Sequence, residues 1–182
     1  MIREIVIYGD PVLRKKGKPV RETTEEIRRL AEDMIETMHD AHGVGLAAQQ
    51  VGEAIQLTVL DVSDAENRPS RMWIEGEEVA IKEHMPLVLV NPELELSKET
   101  EAGPEGCLSF PEINAEISRA ARVKVKALDL EGKSVAFEAD GLLSRAVQHE
   151  VDHLNGILFI DRMSSATKVS LGSKLKKLAE RE

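Results

Sequence analysis

His149, Glu150 and His153 write H-E-x-x-H within the run Gln148-His149-Glu150-Val151-Asp152-His153. On a helix, at about 100° per residue, the two imidazoles project from nearly one direction with the carboxylate beside them. Two rings can then share one cation while Glu150 reaches a water, which is the outline of metal-assisted hydrolysis. A catalytic site of this kind takes three protein ligands, so a third donor is needed. The extension H-E-x-x-H-x-x-G-x-x-H keeps Gly156 in register but meets Phe159 at its last position, and a phenyl ring does not bind such a metal. A glutamate on a following helix is missing as well, because residues 162 to 179 contain no Asp or Glu and Asp161 lies too near the helix end. The third donor therefore lies upstream, among Cys107, His39, His42, His84 or a carboxylate.

Cys107 is the one cysteine of 182 residues and sits in Glu105-Gly106-Cys107-Leu108-Ser109. Taken alone, a single cysteine is more often a small buried hydrophobe than a ligand. The need for a third donor shifts the balance toward a thiolate, giving a His-His-Cys set. For Glu150 the bland alternative is a surface salt bridge, which Ala146 and Leu154, its neighbours one turn away, do not support.

A third pattern lies upstream, in Gly43-Val44-Gly45-Leu46-Ala47-Ala48-Gln49-Gln50. G-x-G-L-A-A-x-Q, then E-G-C-L-S, then Q-H-E-x-D-H-L-x-G closely resemble the peptide deformylases. The likeness extends from Tyr8-Gly9-Asp10-Pro11-Val12-Leu13-Arg14 to Asp140-Gly141-Leu142-Leu143 and Gly156-Ile157-Leu158-Phe159, leaving residues 63 to 86 unplaced. The resemblance implies Cys107, His149 and His153 as metal ligands and Glu150 as general base and then acid. It implies an oxyanion site from the Gln50 side-chain amide and the Leu108 N–H, although from residues alone Gln50 could equally cap a turn. Gly43 and Gly45 would let backbone approach a bound peptide, and Gly45 is counted with the catalytic group. Val44, Leu142 and Ala146 would line a pocket for an unbranched side chain, Gly103 would pair with the peptide main chain, and Glu105 would stand beside the substrate channel.

The implied substrate is the N-formyl-methionine end of a new polypeptide, cleaved to formate and a free amine. The implied metal is Fe²⁺ in the cell, with Zn²⁺, Ni²⁺ and Co²⁺ also suited to two imidazoles and a thiolate. Two residues depart from the family pattern. His42 stands where an acidic residue is common and Asn114 where an arginine is, so a neutral His42–Asn114 contact is expected in place of an ion pair. Asp152 is expected to support His149 or to pair with Arg119 or Arg145. The competing readings are an H-E-x-x-H metallopeptidase and a non-catalytic metal-binding homologue, which would have no use for Glu150 and Gln50.

Several elements must position these residues. Thr23-Thr24-Glu25-Glu26 is a capping box, and Ile27, Leu30, Ala31, Met34, Ile35 and Met38 recur at helical spacing to about His42, where Gly43 supplies a left-handed stop. Residues 55 to 62 and 87 to 90 read as strands, and Pro92 separates the second from a half-exposed strand over 93 to 101. Residues 63 to 86, with Trp73 and the turn Glu75-Gly76-Glu77, read as a hairpin insertion. Alternation at Val123, Val125 and Ala127, the turn at Glu131-Gly132 and residues 134 to 139 predict a second hairpin. The motif helix runs from about Gly141 to Asn155 and ends at Gly156; a C-terminal helix over 164–182 carries Leu171, Leu175 and Leu178. Helices with mostly antiparallel strands and no βαβ alternation indicate an α+β fold. The resemblance implies the same, a central metal-binding helix enclosed by small sheets in one catalytic domain, residues 1–182.

A formal charge of −9 argues against broad nucleic-acid or anionic-membrane binding, and no sequence-specific nucleic-acid contact is expected. No apolar run reaches membrane-spanning length, so a cytoplasmic or organelle-matrix monomer is the default. From Met163 to Glu182 there are five Lys/Arg against two acids. This basic C-terminal helix is either a solvated face or, as the resemblance implies, a docking element for the ribosome.

Overall fold

In the computed structural model, which describes residues 1–181, α1 spans Glu25–Asp40. Thr24 caps it by accepting from the Ile27 N–H, and Leu30, Ala31, Met34 and Met38 form its buried stripe. The helix ends in a Schellman arrangement, with the Gly43 N–H donating to Met38 O at 2.9 Å and the His42 N–H to His39 O at 3.1 Å. The left-handed residue in it is His42, at φ 56°, so the expected stop at Gly43 falls one position early. Gly43 lies against a neighbour instead: a Cβ there would come 2.8 Å from Leu108 Cδ1, the tip of a side chain.

The strands are β1 (Gly45–Ala47), β2 (Leu57–Leu60), β3 (Met72–Ile74), β4 (Glu77–Val79), β5 (Leu87–Leu96), β6 (Thr100–Cys107), β7 (Phe110–Ala120), β8 (Arg122–Leu128) and β9 (Ser134–Asp140). A seven-stranded sheet has the order β1-β2-β5-β8-β9-β3-β4, and β6 and β7 form a separate two-stranded sheet. All the paired strands are antiparallel, in keeping with the α+β class. Pro92 does not end a strand as expected. It sits inside β5 at a register shift between Val90 and Glu93, where Asn91 is left-handed at φ 51°. A bulge needs no ladder N–H from the proline, and Asn91 is pinned by exchanging two 2.8 Å side-chain bonds with the Val20 backbone. Residues 75 and 76 turn β3 into β4 at the sheet edge, with the Arg122 guanidinium 3.8 Å from the Trp73 ring centre.

α2 (Gly141–Leu154) is buried along its whole length except at Gly141 and Asp152. One side packs on the large sheet through Leu142, Leu143, Ala146, Val147 and Val151. Two of its buried polar residues are satisfied by the end of β7: Gln148 accepts from the Ala120 N–H at 3.0 Å and donates to Ala120 O at 2.9 Å, and Ser144 donates to the same carbonyl. Gly156, at φ 75°, closes α2 with the same C-terminal motif that His42 provides for α1. The C-terminal stretch forms two helices, α3 (Ser165–Ser170) and α4 (Gly172–Ala179), rather than one continuous one. Leu175 and Leu178 of α4 fill a core cluster with Leu13, Phe110 and Phe159. No helix among the described residues is long and apolar enough to cross a membrane.

Candidate active site

α2 and the end of β6 bring Cys107, His149 and His153 together, with one donor atom from each lying within 4.8 Å of the others. Cys107 Sγ is 3.3 Å from His153 Nε2. The Nδ1 of His149 faces Glu105 Oε2 at 2.9 Å, which leaves its Nε2 lone pair for a cation. The three donors, two imidazoles and a potential thiolate, fit one tetrahedrally inclined divalent ion with a position to spare. Burial, reinforced by His149 and Arg119, holds His153 well below the ordinary histidine range, so it is neutral as a ligand must be. For His149, burial opposes charge, but Glu150, Cys107 and Glu105 outweigh it and raise its pKa well above normal. The negative surroundings that draw a proton there would equally draw a cation.

Glu105 is the hub of the support. Arg119 grips it bidentately, Nε to Oε1 at 2.9 Å and Nη2 to Oε2 at 2.8 Å, and Arg145 Nη1 adds a 3.3 Å bond to Oε1. Burial would raise the Glu105 carboxyl, but His149 and Arg119 outweigh it and pull it down to about 2. Arg119 also donates to Asp152 at 2.6 Å, and Asp152 takes two more bonds from Arg162. Asp152 thus pairs with Arg119, not Arg145, and reaches His149 only through Arg119 and then Glu105. On the other side of the His149 ring stands Phe159, with ring centres 5.8 Å apart, in an aromatic series that continues to Phe110 and Tyr8. The residue that cannot be a ligand helps to seat one.

Glu150 is 4 % exposed, and its Oε1 has no hydrogen-bond partner. Burial pushes its carboxyl up to about 7, suited to taking and returning a proton near neutrality. Its Oε2 lies where a Cβ on Gly45 would fall, 2.5 Å away, so Gly45 makes room for the carboxylate itself. Gln50 is held by its oxygen, which accepts from the Ala47 N–H at 2.9 Å. That bond fixes which end of the amide faces inward: Nε2 lies 3.2 Å from Ser109 Oγ and 3.7 Å from Cys107 Sγ. Gln50 therefore both caps a turn and presents N–H donors beside the thiol.

These groups open on a cavity of about 480 Å³ whose lining includes Gly43, Val44, Gly45, Gln50, Glu105, Cys107, Leu108, Leu142, Ala146, His149 and Glu150. Gly103 is not part of that lining; it lies on β6 next to Pro104, which is, and a Cβ on it would come within 3.1 Å of Arg145. Glu105 reaches the wall, but both of its oxygens are taken by Arg119, Arg145 and His149, so it supports the site rather than presenting a free carboxylate. His42 and Asn114 line the same cavity, yet no hydrogen bond joins them, and the expected neutral contact is not made. Asn114 Oδ1 instead covers Gly106, 2.7 Å from where a Cβ would stand. Sequence reasoning missed Arg145 as a partner of Glu105 and Arg68 as a lining residue; Arg145, one helical turn before His149, could have been found from the spacing.

A buried helix carrying two histidines and an unpaired glutamate, closed by a cysteine from a small sheet, defines the class as a metal-dependent hydrolase. The profile of the family described as polypeptide deformylase matches residues 2–169. A peptide deformylase of Methylacidiphilum infernorum is 48% identical over 182 residues, covering 100% of this chain and 95% of that one. The crystal structure of the Thermotoga maritima peptide deformylase is 44% identical, with a TM-score of 0.77 over 90% of this chain and 99% of that one. The Ehrlichia chaffeensis peptide deformylase in complex with actinonin is 36% identical, with a TM-score of 0.84 over 100% of this chain and 99% of that one. The chain belongs to the polypeptide deformylase family. Its activity is the hydrolytic removal of the N-terminal formyl group from newly made polypeptides, and the metallopeptidase alternative is not favoured.

Proposed function

We propose that Cys107, His149 and His153 hold one divalent metal and that Glu150, Gln50 and the Leu108 N–H carry the deformylation of formyl-methionyl peptides. The convergence of the three donors beside the unpartnered Glu150 oxygen, with Cys107, His149 and Glu150 on the wall of one cavity, carries this reading. When bound, the ion supplies Lewis-acid chemistry and lowers the pKa of water toward neutrality. Glu150 takes a proton from the attacking water and delivers it to the departing amine nitrogen, so that formate and a free amine result. Gln50 Nε2 and the Leu108 N–H donate to the developing oxyanion. Val44, Leu142 and Ala146 enclose the methionine side chain, and Gly43, Gly45 and Gly103 border the path of the peptide backbone. Fe²⁺ is the metal in the cell, which makes Cys107 oxidation a liability. Formate release from a formyl-methionyl peptide by protein purified without oxygen, with elemental analysis, tests both claims. No release from the metal-loaded protein would sink the assignment, and zinc as the sole metal would sink iron.

Gly45→Ala tests how Glu150 is seated. The added methyl must displace the carboxylate, and a shift of about 1 Å in a catalytic group costs on the order of a hundredfold. Formate release should fall by about that factor while metal content stays unchanged.

The reading extends to a cytoplasmic monomer that visits the ribosome through its basic end. On α3 and α4, Lys168, Lys174, Lys176 and Lys177 are exposed while Leu175 and Leu178 are buried, which supports a cationic outer face. Because those leucines fill core, the test is charge reversal rather than truncation. Lys174→Glu with Lys176→Glu and Lys177→Glu should weaken ribosome sedimentation and spare activity on short peptides; unchanged sedimentation would refute docking.

A further inference from the structure

Arg68 belongs to the stretch between β2 and β3 that no sequence pattern placed, and it lines the active-site cavity. Its backbone position is fixed, through the two residues that follow it, by the start of α2. The Leu142 N–H donates to Pro69 O at 3.3 Å, and the Leu143 N–H donates to Ser70 Oγ at 2.8 Å. The segment thus supplies acceptors for the N–H groups of the first turn of the catalytic helix and in return carries Arg68 over the cavity. From there Arg68 Nη2 donates to Pro104 O at 3.0 Å, which ties it to the middle of β6.

That carbonyl marks the open side of a strand. β6 pairs with β7 alone among the described residues, so its second edge is unpaired. Backbone groups alternate between the two edges residue by residue, which puts the peptide groups of Gly106 on the same open side as Pro104 O. Cys107, Gly106 and Pro104 all line the cavity, in that order away from the metal ligands. A formyl peptide whose reacting carbon lies beside Cys107 and whose first side chain enters the Leu142–Ala146 pocket leaves along this edge in an extended form. At about 3.3 Å per residue, its third residue reaches Pro104, three residues from Cys107.

Arg68 stands at that point. The lining residues Lys and Arg are Arg68 and Arg145 only, and Arg145 is committed to Glu105, Ile117 O and Glu101 O. Arg68 is exposed, makes no ion pair among the described residues, and has guanidinium N–H groups beyond the one given to Pro104. Resting on the deformylase reading of the site, we propose that Arg68 is a specificity-determining residue that favours a carboxylate at the third position of the formyl peptide. The carboxylate can come from a Glu or Asp side chain or from the free C-terminus of a tripeptide.

The test uses formyl-Met-Ala-Xaa-Ala amides with Glu, Ser or Lys as the third residue, and formyl-Met-Ala-Ser as free acid and as amide. Formate release from the Ser tetrapeptide by the wild-type enzyme reports the deformylase reaction itself, so failure of that reading is seen separately. Wild type should favour Glu over Lys by about three- to fivefold in kcat/KM, the scale of an exposed ion pair. Each variant is read as the Glu-to-Lys ratio within one preparation, which cancels differences in metal loading. Arg68→Ala should bring the ratio to near one, Arg68→Glu should invert it, and Arg68→Lys should keep most of it. A free-acid preference that disappears in Arg68→Ala assigns the terminal carboxylate; a Glu preference in the amides assigns the side chain. No carboxylate preference in either series, or one that survives Arg68→Ala, overturns the proposal.

Discussion

Glu150→Gln should keep its metal and lose about a thousandfold in kcat, within the range that a positioned general base contributes. Glutamine has nearly the size of glutamate, so the fit between Glu150 and Gly45 is preserved and the packing of α2 is not the variable. What changes is the capacity to accept a proton at the oxygen that has no partner in the protein. Because Cys107, His149 and His153 form a donor set without Glu150, elemental analysis should give the wild-type metal content. KM should change little, since the lost interaction develops with proton transfer and not on binding. Activity within tenfold of wild type would remove Glu150 from the role of base. Loss of the metal would make it a ligand, contrary to the assignment.

The chemistry was legible in the sequence because it is local in spacing. His149, Glu150 and His153 fall on one helix, and Gly156 closes that helix with the residue type a left-handed position favours. Cys107 and Gln50 were reached only through the resemblance and the need for further groups, since neither carries a periodic signal. The departures are places where a distant contact overrides local chemistry. α1 takes His42, and not the glycine beside it, as its left-handed residue, and Gly43 lies next to the Leu108 side chain. Asp140, in the N-cap position of α2, makes no capping bond; its carboxylate holds the Arg71 backbone and guanidinium, and the first turn is served by Ser70 from far upstream. Pro92 reads as a strand break unless the Asn91–Val20 bonds that stabilise its bulge are known. The role of Glu105 was hidden for the same reason, since His149, Arg119 and Arg145 meet it from α2 and β7.

Glu105→Ala is the substitution that should separate holding the metal from holding the fold. Two effects are expected together. His149 loses the acceptor that sets its tautomer and ring orientation, which typically weakens metal affinity by about 10- to 100-fold. Arg119 and Arg145, both nearly buried, lose a shared anion; Arg119 keeps Asp152, but Arg145 has no other ion pair among the described residues, and an uncompensated buried charge costs about 3–5 kcal/mol of stability. The second effect can be relieved without the first. In Glu105→Ala with Arg145→Met, the stranded cation is gone and Arg119 keeps Asp152, so a denaturant midpoint should recover in part. Metal affinity, measured by competition with a chelator, should stay low, because no carboxylate has been returned to His149 Nδ1. Glu105→Gln sharpens the contrast: its amide oxygen can still accept from the imidazole, so metal should be retained better than in the alanine variant while the stability loss from the unneutralised Arg145 persists. If Glu105→Ala bound metal as tightly as wild type, the carboxylate would be a structural counter-ion for Arg119 and Arg145, and the orientation of His149 would have to come from its packing against Phe159.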